Sequence, residues 1–278
     1  MYDSIISCTE LHSCLSDPRY VIIDCRFDLS DPAAGRNAYA KSHIPGAIYV
    51  DLAQDLSGPV NEDTGRHPLP ATEQIMELFS RCGIDSTRQV VLYDASAGAY
   101  AARMWWMLKY MGHPSVGVLD GGWQHWVSCS LPTEQRINHN THRQFVGRPD
   151  QRMQVTVSEV LALTLLVDSR EPERFSGKTE PIDPVAGHIP GAVNYFWKSN
   201  IEEDGTFRSL DEIRNNLLAL YADEKAENAV FYCGSGVTAC QNILSASYAG
   251  LPLPRLYVGS WSEWCRDPCR PVAVDIRK

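Results

Sequence analysis

The chain has 278 residues, 44% of them hydrophobic, and a net charge of −9; this length suggests about two domains of roughly 100–200 residues each. No basic block interrupts the acidic balance, so neither nucleic acid nor an anionic membrane surface is an expected partner. No apolar stretch approaches the roughly 18 residues that a membrane helix needs, which again argues against a membrane partner.

The N-terminus lacks a basic stretch followed by a long apolar one, so no secretory signal is expected. The nine cysteines are odd in number and scattered; they read as reduced thiols of a cytoplasmic protein. Cys265 and Cys269 have neither a histidine nor a second cysteine pair nearby, so zinc is not expected.

In chain order, residues 9–15 read as a short helix with Thr9 as its cap. Tyr20 to Arg26 is a β-branched run that ends in polar residues. His43-Ile-Pro-Gly-Ala47 is a turn leading into the strand Ile48–Val50. Residues 71–82 predict a helix, Gln89–Tyr93 a strand, and Ala97–Met111 a helix apolar enough to pack on a sheet. Val116–Leu119 is a strand, followed by Gly121-Gly-Trp-Gln-His-Trp126. Residues 137–154 are polar and aperiodic and read as a linker between domains 1–136 and 155–278.

The second half repeats this order. A helix starts over 158–163, and Leu165–Arg170 matches the strand ending Asp24-Cys-Arg26. His188-Ile-Pro-Gly-Ala192 matches the first turn, and Gly259-Ser-Trp-Ser-Glu-Trp264 matches Gly121–Trp126. Cys233 falls on Asp94. The four pairs Asp24/Asp168, His43/His188, Asp94/Cys233 and Gly121/Gly259 are offset by 144, 145, 139 and 138 residues. A period this long means duplication of a domain. Strands alternating with helices imply an α/β fold, each domain a mostly parallel sheet flanked by helices. Ligands of such sheets sit outside the carboxyl ends of the strands.

Cys233 stands at such an end. Ala229–Tyr232 is a buried-strand run, Gly234 and Gly236 permit a tight loop, and a helix starts near Thr238. Loop amides and a helix N-terminus can converge on the sulfur, and both favour the thiolate. A buried packing cysteine is the ordinary alternative, but it does not need the Gly-Ser-Gly loop. Asp94 cannot serve as the nucleophile, so one armed site per chain is expected. A cysteine phosphatase needs an arginine six residues after its cysteine to grip phosphate; Ala239 stands there.

The two His-Ile-Pro-Gly-Ala segments, the two Gly-x-Trp-x-x-Trp segments and Cys233-Gly-Ser-Gly-Val-Thr238 together resemble the tandem-domain rhodanese family of sulfurtransferases. The resemblance implies two rhodanese-like domains, the second catalytic, and sulfur transfer through a Cys233 persulfide with no metal or organic cofactor. Within the family the loop looks like that of the 3-mercaptopyruvate enzymes. Thiosulfate enzymes typically carry cationic residues right after the cysteine, where this chain has Gly234 and Ser235.

By the same resemblance, Ser235 and His67 would handle a proton and Arg174 would bind the donor's carboxylate. Arg66 would add positive potential. Gly234, Gly236, Val237 and Thr238 would line the anion-binding loop. The partners implied are a small-molecule sulfur donor and a thiol or cyanide acceptor. Two positions depart from the family. Ile182 follows Glu180-Pro181 where a second arginine is usual, and Ala53 stands where an acidic residue two positions after Asp51 is usual. His43 and His188 read as turn residues, the tryptophans as core, and Cys240 as a packing thiol. Thiosulfate sulfur transfer and a non-catalytic rhodanese-like binding module are the competing readings.

Overall fold

A computed structural model of the chain describes residues 1–275. The described residues divide into two compact units: 1–58, 70–150 and 201–207 form unit 1, and 59–69, 151–200 and the described residues from 208 onwards form unit 2. Each unit therefore contains one short segment from the other half of the sequence.

Unit 1 runs β1 (Ile5–Ile6), α1 (Cys8–Cys14), β2 (Tyr20–Asp24), α2 (Ala34–Lys41), β3 (Ile48–Tyr49), α3 (Thr72–Arg81), β4 (Gln89–Tyr93), α4 (Ala101–Tyr110), β5 (Val116–Leu119) and α5 (Gly122–Ser128). Its sheet has the order β1-β5-β4-β2-β3, with every pair parallel. The central strand β4 is buried along its whole length, as the apolar run Val90–Tyr93 in a parallel sheet covered on both faces should be.

Unit 2 runs β6 (Gln154–Val155), β7 (Leu166–Asp168), α6 (Pro172–Phe175), β8 (Val193–Asn194), α7 (Leu210–Tyr221), β9 (Val230–Tyr232), α8 (Ala239–Tyr248), β10 (Arg255–Tyr257) and α9 (Ser260–Trp264). Its order is β6-β10-β9-β7-β8, again all parallel. The two orders are the same once each strand is matched to its counterpart.

The duplication extends to side chains. Arg26 grips Asp24 through Nε and Nη2 and lies 4.4 Å from the Trp123 ring. Arg170 grips Asp168 in the same way, 4.7 Å from the Trp261 ring. His43 stacks on Tyr39 at 3.9 Å, and His188 on Phe175 at 3.8 Å. The indole N–H groups of Trp126 and Trp264 donate to the carbonyls of Pro132 and Pro271. These histidines and tryptophans hold each unit together.

Three helix boundaries differ from expectation. Ser7, not Thr9, caps α1, because Glu10 completes a reciprocal capping box with it. α4 starts at Ala101 rather than Ala97, because the Asp94 carboxylate accepts the amides of Ser96, Gly98, Tyr100 and Ala101. Residues 158–163 yield only a 3-10 turn, Val160–Ala162, before Leu163 turns extended. Of the 137–154 stretch, residues up to Asp150 are irregular and group with unit 1, while Gln154 begins β6. Among the described residues no helix is long and apolar enough to cross a membrane.

Candidate active site

Cys233 follows the last residue of β9 and is 2% exposed. Its loop is pinned on both sides. The Trp261 and Ser262 amides donate to the carbonyls of Cys233 and Gly234 at 3.0 and 2.9 Å. The Cys233 amide donates to Ser260 Oγ at 3.1 Å, and that hydroxyl donates to the Tyr257 carbonyl. Gly236 has φ +72°, and a Cβ there would stand 2.3 Å from the Val258 carbonyl oxygen. Only glycine satisfies both conditions. Thr238 precedes α8 at its N-cap. Among the described residues, no hydrogen bond within the chain occupies the amides of Gly234, Ser235, Val237 or Thr238. The loop thus offers donors to an anion at the end of β9.

Segment 59–69 brings Arg66 and His67 to this loop within unit 2. Gly65 permits the approach: a Cβ there would lie 2.4 Å from the Gly259 carbonyl oxygen. The Arg66 amide then donates to Ser262 Oγ at 3.0 Å. His67 Nδ1 lies 2.8 Å from Ser235 Oγ, with both residues buried. That distance suits proton exchange between hydroxyl and imidazole.

The loop is flanked by charge. A Cβ at Gly234 would stand 3.0 Å from Arg66 Nη2 and 3.6 Å from Arg174 Nη2. Arg174 is held by Glu180, with Nη2 to Oε1 at 2.7 Å, and reaches Asp183 at 3.3 Å. Arg66 pairs with the other oxygen of Asp183. Glu180 also meets Arg170 at 3.1 Å and accepts the amides of Ile182 and Asp183, both at 3.0 Å. Burial pushes the Glu180 carboxyl up, but the Arg174 hydrogen bond and these amides outweigh it, leaving its pKa below the ordinary value. Burial raises the Asp183 carboxyl, and Arg66 only partly opposes it.

The expected residues Cys233, Gly234, Ser235, Gly236, Val237, Thr238, His67, Arg66 and Arg174 all belong to unit 2. Ile182 is 43% exposed, and Arg66 occupies the neighbourhood of Gly234 together with Arg174. Asp51 belongs to unit 1, where it shapes a turn by accepting the amides of Ala53 and Gln54. The Cys240 thiol donates to the Gly236 carbonyl at 3.4 Å.

Sequence reasoning missed Asp183 and Ser260. Ser260 is fully buried and sits at φ +55°, where its counterpart in unit 1, Gly122, has the same φ. A serine in that conformation is strained, and in return its hydroxyl reaches the Cys233 backbone. Lining the two repeats up at Gly122 and Ser260 was the available signal.

Residues 7–129 and 156–267 each match the rhodanese-like domain family. A Pseudomonas aeruginosa protein named "Probable 3-mercaptopyruvate sulfurtransferase" is 42% identical over 97% of this chain and 98% of its own length. A Mycobacterium tuberculosis protein named "Putative thiosulfate sulfurtransferase SseB" is 40% identical over 90% of this chain and 89% of its own. The solved structure of 3-mercaptopyruvate sulfurtransferase from Leishmania major superimposes with a TM-score of 0.84 at 33% identity, covering 94% of this chain and 74% of that one. With two matched domains, two sheets of the same strand order and relatives aligned over nearly its whole length, the chain belongs to the rhodanese-like domain family.

Proposed function

We propose that the protein is a sulfurtransferase that takes sulfur from 3-mercaptopyruvate on Cys233 and passes it to a thiol or to cyanide. The observation that carries this reading is the loop after β9: a cysteine followed by unoccupied amides, with two guanidinium groups beside Gly234.

The Cys233 thiolate attacks the sulfur of the donor. An S–S bond forms, the C–S bond breaks, and its electron pair leaves on carbon as the enolate of pyruvate. The Ser235–His67 pair supplies the proton that turns the enolate into pyruvate. Arg174 and Arg66 hold the carboxylate, a geometry that guanidinium groups suit. The outer sulfur of the persulfide carries negative charge, which the amides of Gly234, Ser235, Val237 and Thr238 stabilise as an oxyanion hole stabilises oxygen. An acceptor thiolate or cyanide then attacks that sulfur, the S–S bond breaks, and the Cys233 thiolate returns. No step needs a metal or an organic cofactor. Unit 2 is the catalytic domain and unit 1 the unarmed copy. The scattered free thiols fit a cytoplasmic enzyme.

Thiosulfate is the second reading, favoured by the same two guanidinium groups and by the name of the mycobacterial relative. Purified protein assayed with each donor and cyanide separates the two. The expected result is a higher kcat/KM for 3-mercaptopyruvate, and the mass of one added sulfur atom on the Cys233 peptide after donor alone. Preference for thiosulfate would overturn the donor. Inactivity with both donors and no added sulfur would overturn the enzyme and leave a binding module.

A further inference from the structure

We infer that Asp183 is a specificity-determining residue whose carboxylate, shared between Arg66 and Arg174, biases the site towards singly charged sulfur donors and against dianions. The inference rests on the sulfurtransferase reading and concerns the charge of the donor.

Asp183 is placed firmly. It lies between Pro181 and Pro184 with one intervening residue on the first side, and its own amide is fixed by Glu180 Oε1 at 3.0 Å. Its side chain is 3% exposed. One carboxylate oxygen meets Arg66 and the other meets Arg174 Nη2 at 3.3 Å. These are the two guanidinium groups that border Gly234. Glu180 differs, because it also serves Arg170 and two backbone amides. Among these contacts, Asp183's side chain is devoted to the two donor-facing cations.

The charges follow. Arg170 is balanced by Asp168, Arg174 by Glu180, and Arg66 by Asp183. A guanidinium beside its counter-charge keeps directional N–H groups but projects little net potential. Such a clamp can orient the carboxylate of a monoanion by hydrogen bonds. A dianion needs net positive charge to offset its desolvation, and Asp183 removes one unit of it. Neutralising Asp183 therefore helps a dianion about twice as much, in Coulomb energy, as a monoanion. At roughly 6–8 Å and an effective dielectric constant near 40, the extra unit of donor charge is worth about a five- to tenfold factor.

The test compares kcat/KM for thiosulfate and for 3-mercaptopyruvate, with cyanide as acceptor, in the wild type, Asp183→Asn and Asp183→Glu. The thiosulfate-to-mercaptopyruvate ratio should rise about five- to tenfold in Asp183→Asn, chiefly through KM. It should stay within about twofold of wild type in Asp183→Glu, which keeps the charge. Loosened positioning of Arg66 would lower both donors together and cancel in the ratio. Arg66→Gln supplies the opposite sign and serves also if Asp183→Asn does not fold: it removes a cation and should lower the same ratio by a similar factor. An unchanged ratio in Asp183→Asn, or in Arg66→Gln where that variant alone folds, overturns the inference and leaves the enzyme reading intact. A ratio that rises equally in Asp183→Glu also overturns it, because shape and not charge would then be responsible. A wild type that turns over neither donor overturns the enzyme reading and this inference with it.

Discussion

In unit 1 the loop after β4 folds around Asp94; in unit 2 the loop after β9 folds around Cys233. The first occupies residues 94–100 and the second 233–238, each between a strand and a helix. The backbone anchor is shared: the Trp123 amide donates to the Asp94 carbonyl at 2.8 Å, and the Trp261 amide to the Cys233 carbonyl at 3.0 Å. The contents differ. Asp94 is fully buried and its carboxylate collects four main-chain amides, three from the loop and the first of α4. Burial raises its pKa, and those amides pull the other way. In unit 2 the side chain is a thiol, and among the described residues the amides of Gly234, Ser235, Val237 and Thr238 make no hydrogen bond within the chain. The first copy therefore shows what this loop accepts: an anion at the strand end, held by main-chain N–H groups. Its carboxyl group is a permanent part of that loop. The second copy has a thiol there, and a persulfide would bring the anion with it.

The most severe way to break the contrast is Cys233→Ser, which would leave unit 2 as unarmed as unit 1. Turnover should fall by about 10⁴-fold or more, the scale seen when a covalent nucleophile is removed. The melting temperature should hardly move. Activity retained in this variant would place the nucleophile elsewhere.

Glu180→Gln attacks a feature that distinguishes the copies. In both, Arg26 or Arg170 grips its aspartate and reaches one carbonyl, of Ser42 or Gly187. In unit 2, Arg170 also meets Glu180, which in turn holds Arg174. Removing one partner of a buried ion pair typically costs about 3–5 kcal/mol. The sign with pH follows from the lowered Glu180 pKa. A carboxyl with a folded pKa below its unfolded value, about 4.3, stabilises above that value and loses its contribution as pH falls through the folded one. The deficit of Glu180→Gln against wild type should therefore be full at pH 7 and shrink below about pH 4 in denaturant titrations. A deficit independent of pH would count against the charge network.

Asp94→Asn sharpens the comparison from the other side. The amide has nearly the shape of the carboxylate, but its NH₂ group would face two N–H donors. Leaving two donors unmet, one buried and one half-buried, should cost unit 1 about 2–4 kcal/mol, read as an earlier unfolding transition. The kcat of the folded protein should be unchanged, since Asp94 lies outside the site proposed for catalysis.

The repeat was legible in the sequence because its marks are internal contacts that each sheet needs. Asp24-x-Arg26 and Asp168-x-Arg170 are ion pairs stacked on tryptophan, and the two His-Ile-Pro-Gly-Ala turns carry the stacked histidines. Short contacts of this kind leave short motifs. The strand-end cysteine and its glycines were legible for the same reason. α7 was readable but unread: Ile213, Leu217 and Tyr221 are its buried residues, at a spacing of four. The α4 start was misplaced because a side-chain carboxylate, not propensity, decides where that helix begins. Partnerships across long sequence separation left no local trace. Arg66 and Asp183 are 117 residues apart, and His67 and Ser235 are 168 apart. His67, Ser235 and Arg174 were reachable through family resemblance, which also pointed to the second arginine missing at Ile182. It could not reveal that Arg66 stands beside Arg174.

The two glycines of the Cys233 loop give the finest test of the contrast between scaffold and site. At Gly236 an added Cβ meets main chain, the Val258 carbonyl oxygen at 2.3 Å, at a positive φ. Neither can yield, so that glycine belongs to the scaffold. At Gly234 the nearest atoms are the far ends of two arginine side chains, Arg66 Nη2 at 3.0 Å and Arg174 Nη2 at 3.6 Å. A methyl group there would push the Arg66 guanidinium by a few tenths of an ångström and leave the backbone alone. Gly234→Ala should then raise KM for 3-mercaptopyruvate about two- to threefold, under 1 kcal/mol, with kcat and melting temperature nearly constant. A collapse in stability would mean that Gly234 is needed by the fold. No change in KM would mean that the donor's carboxylate does not lie against Arg66.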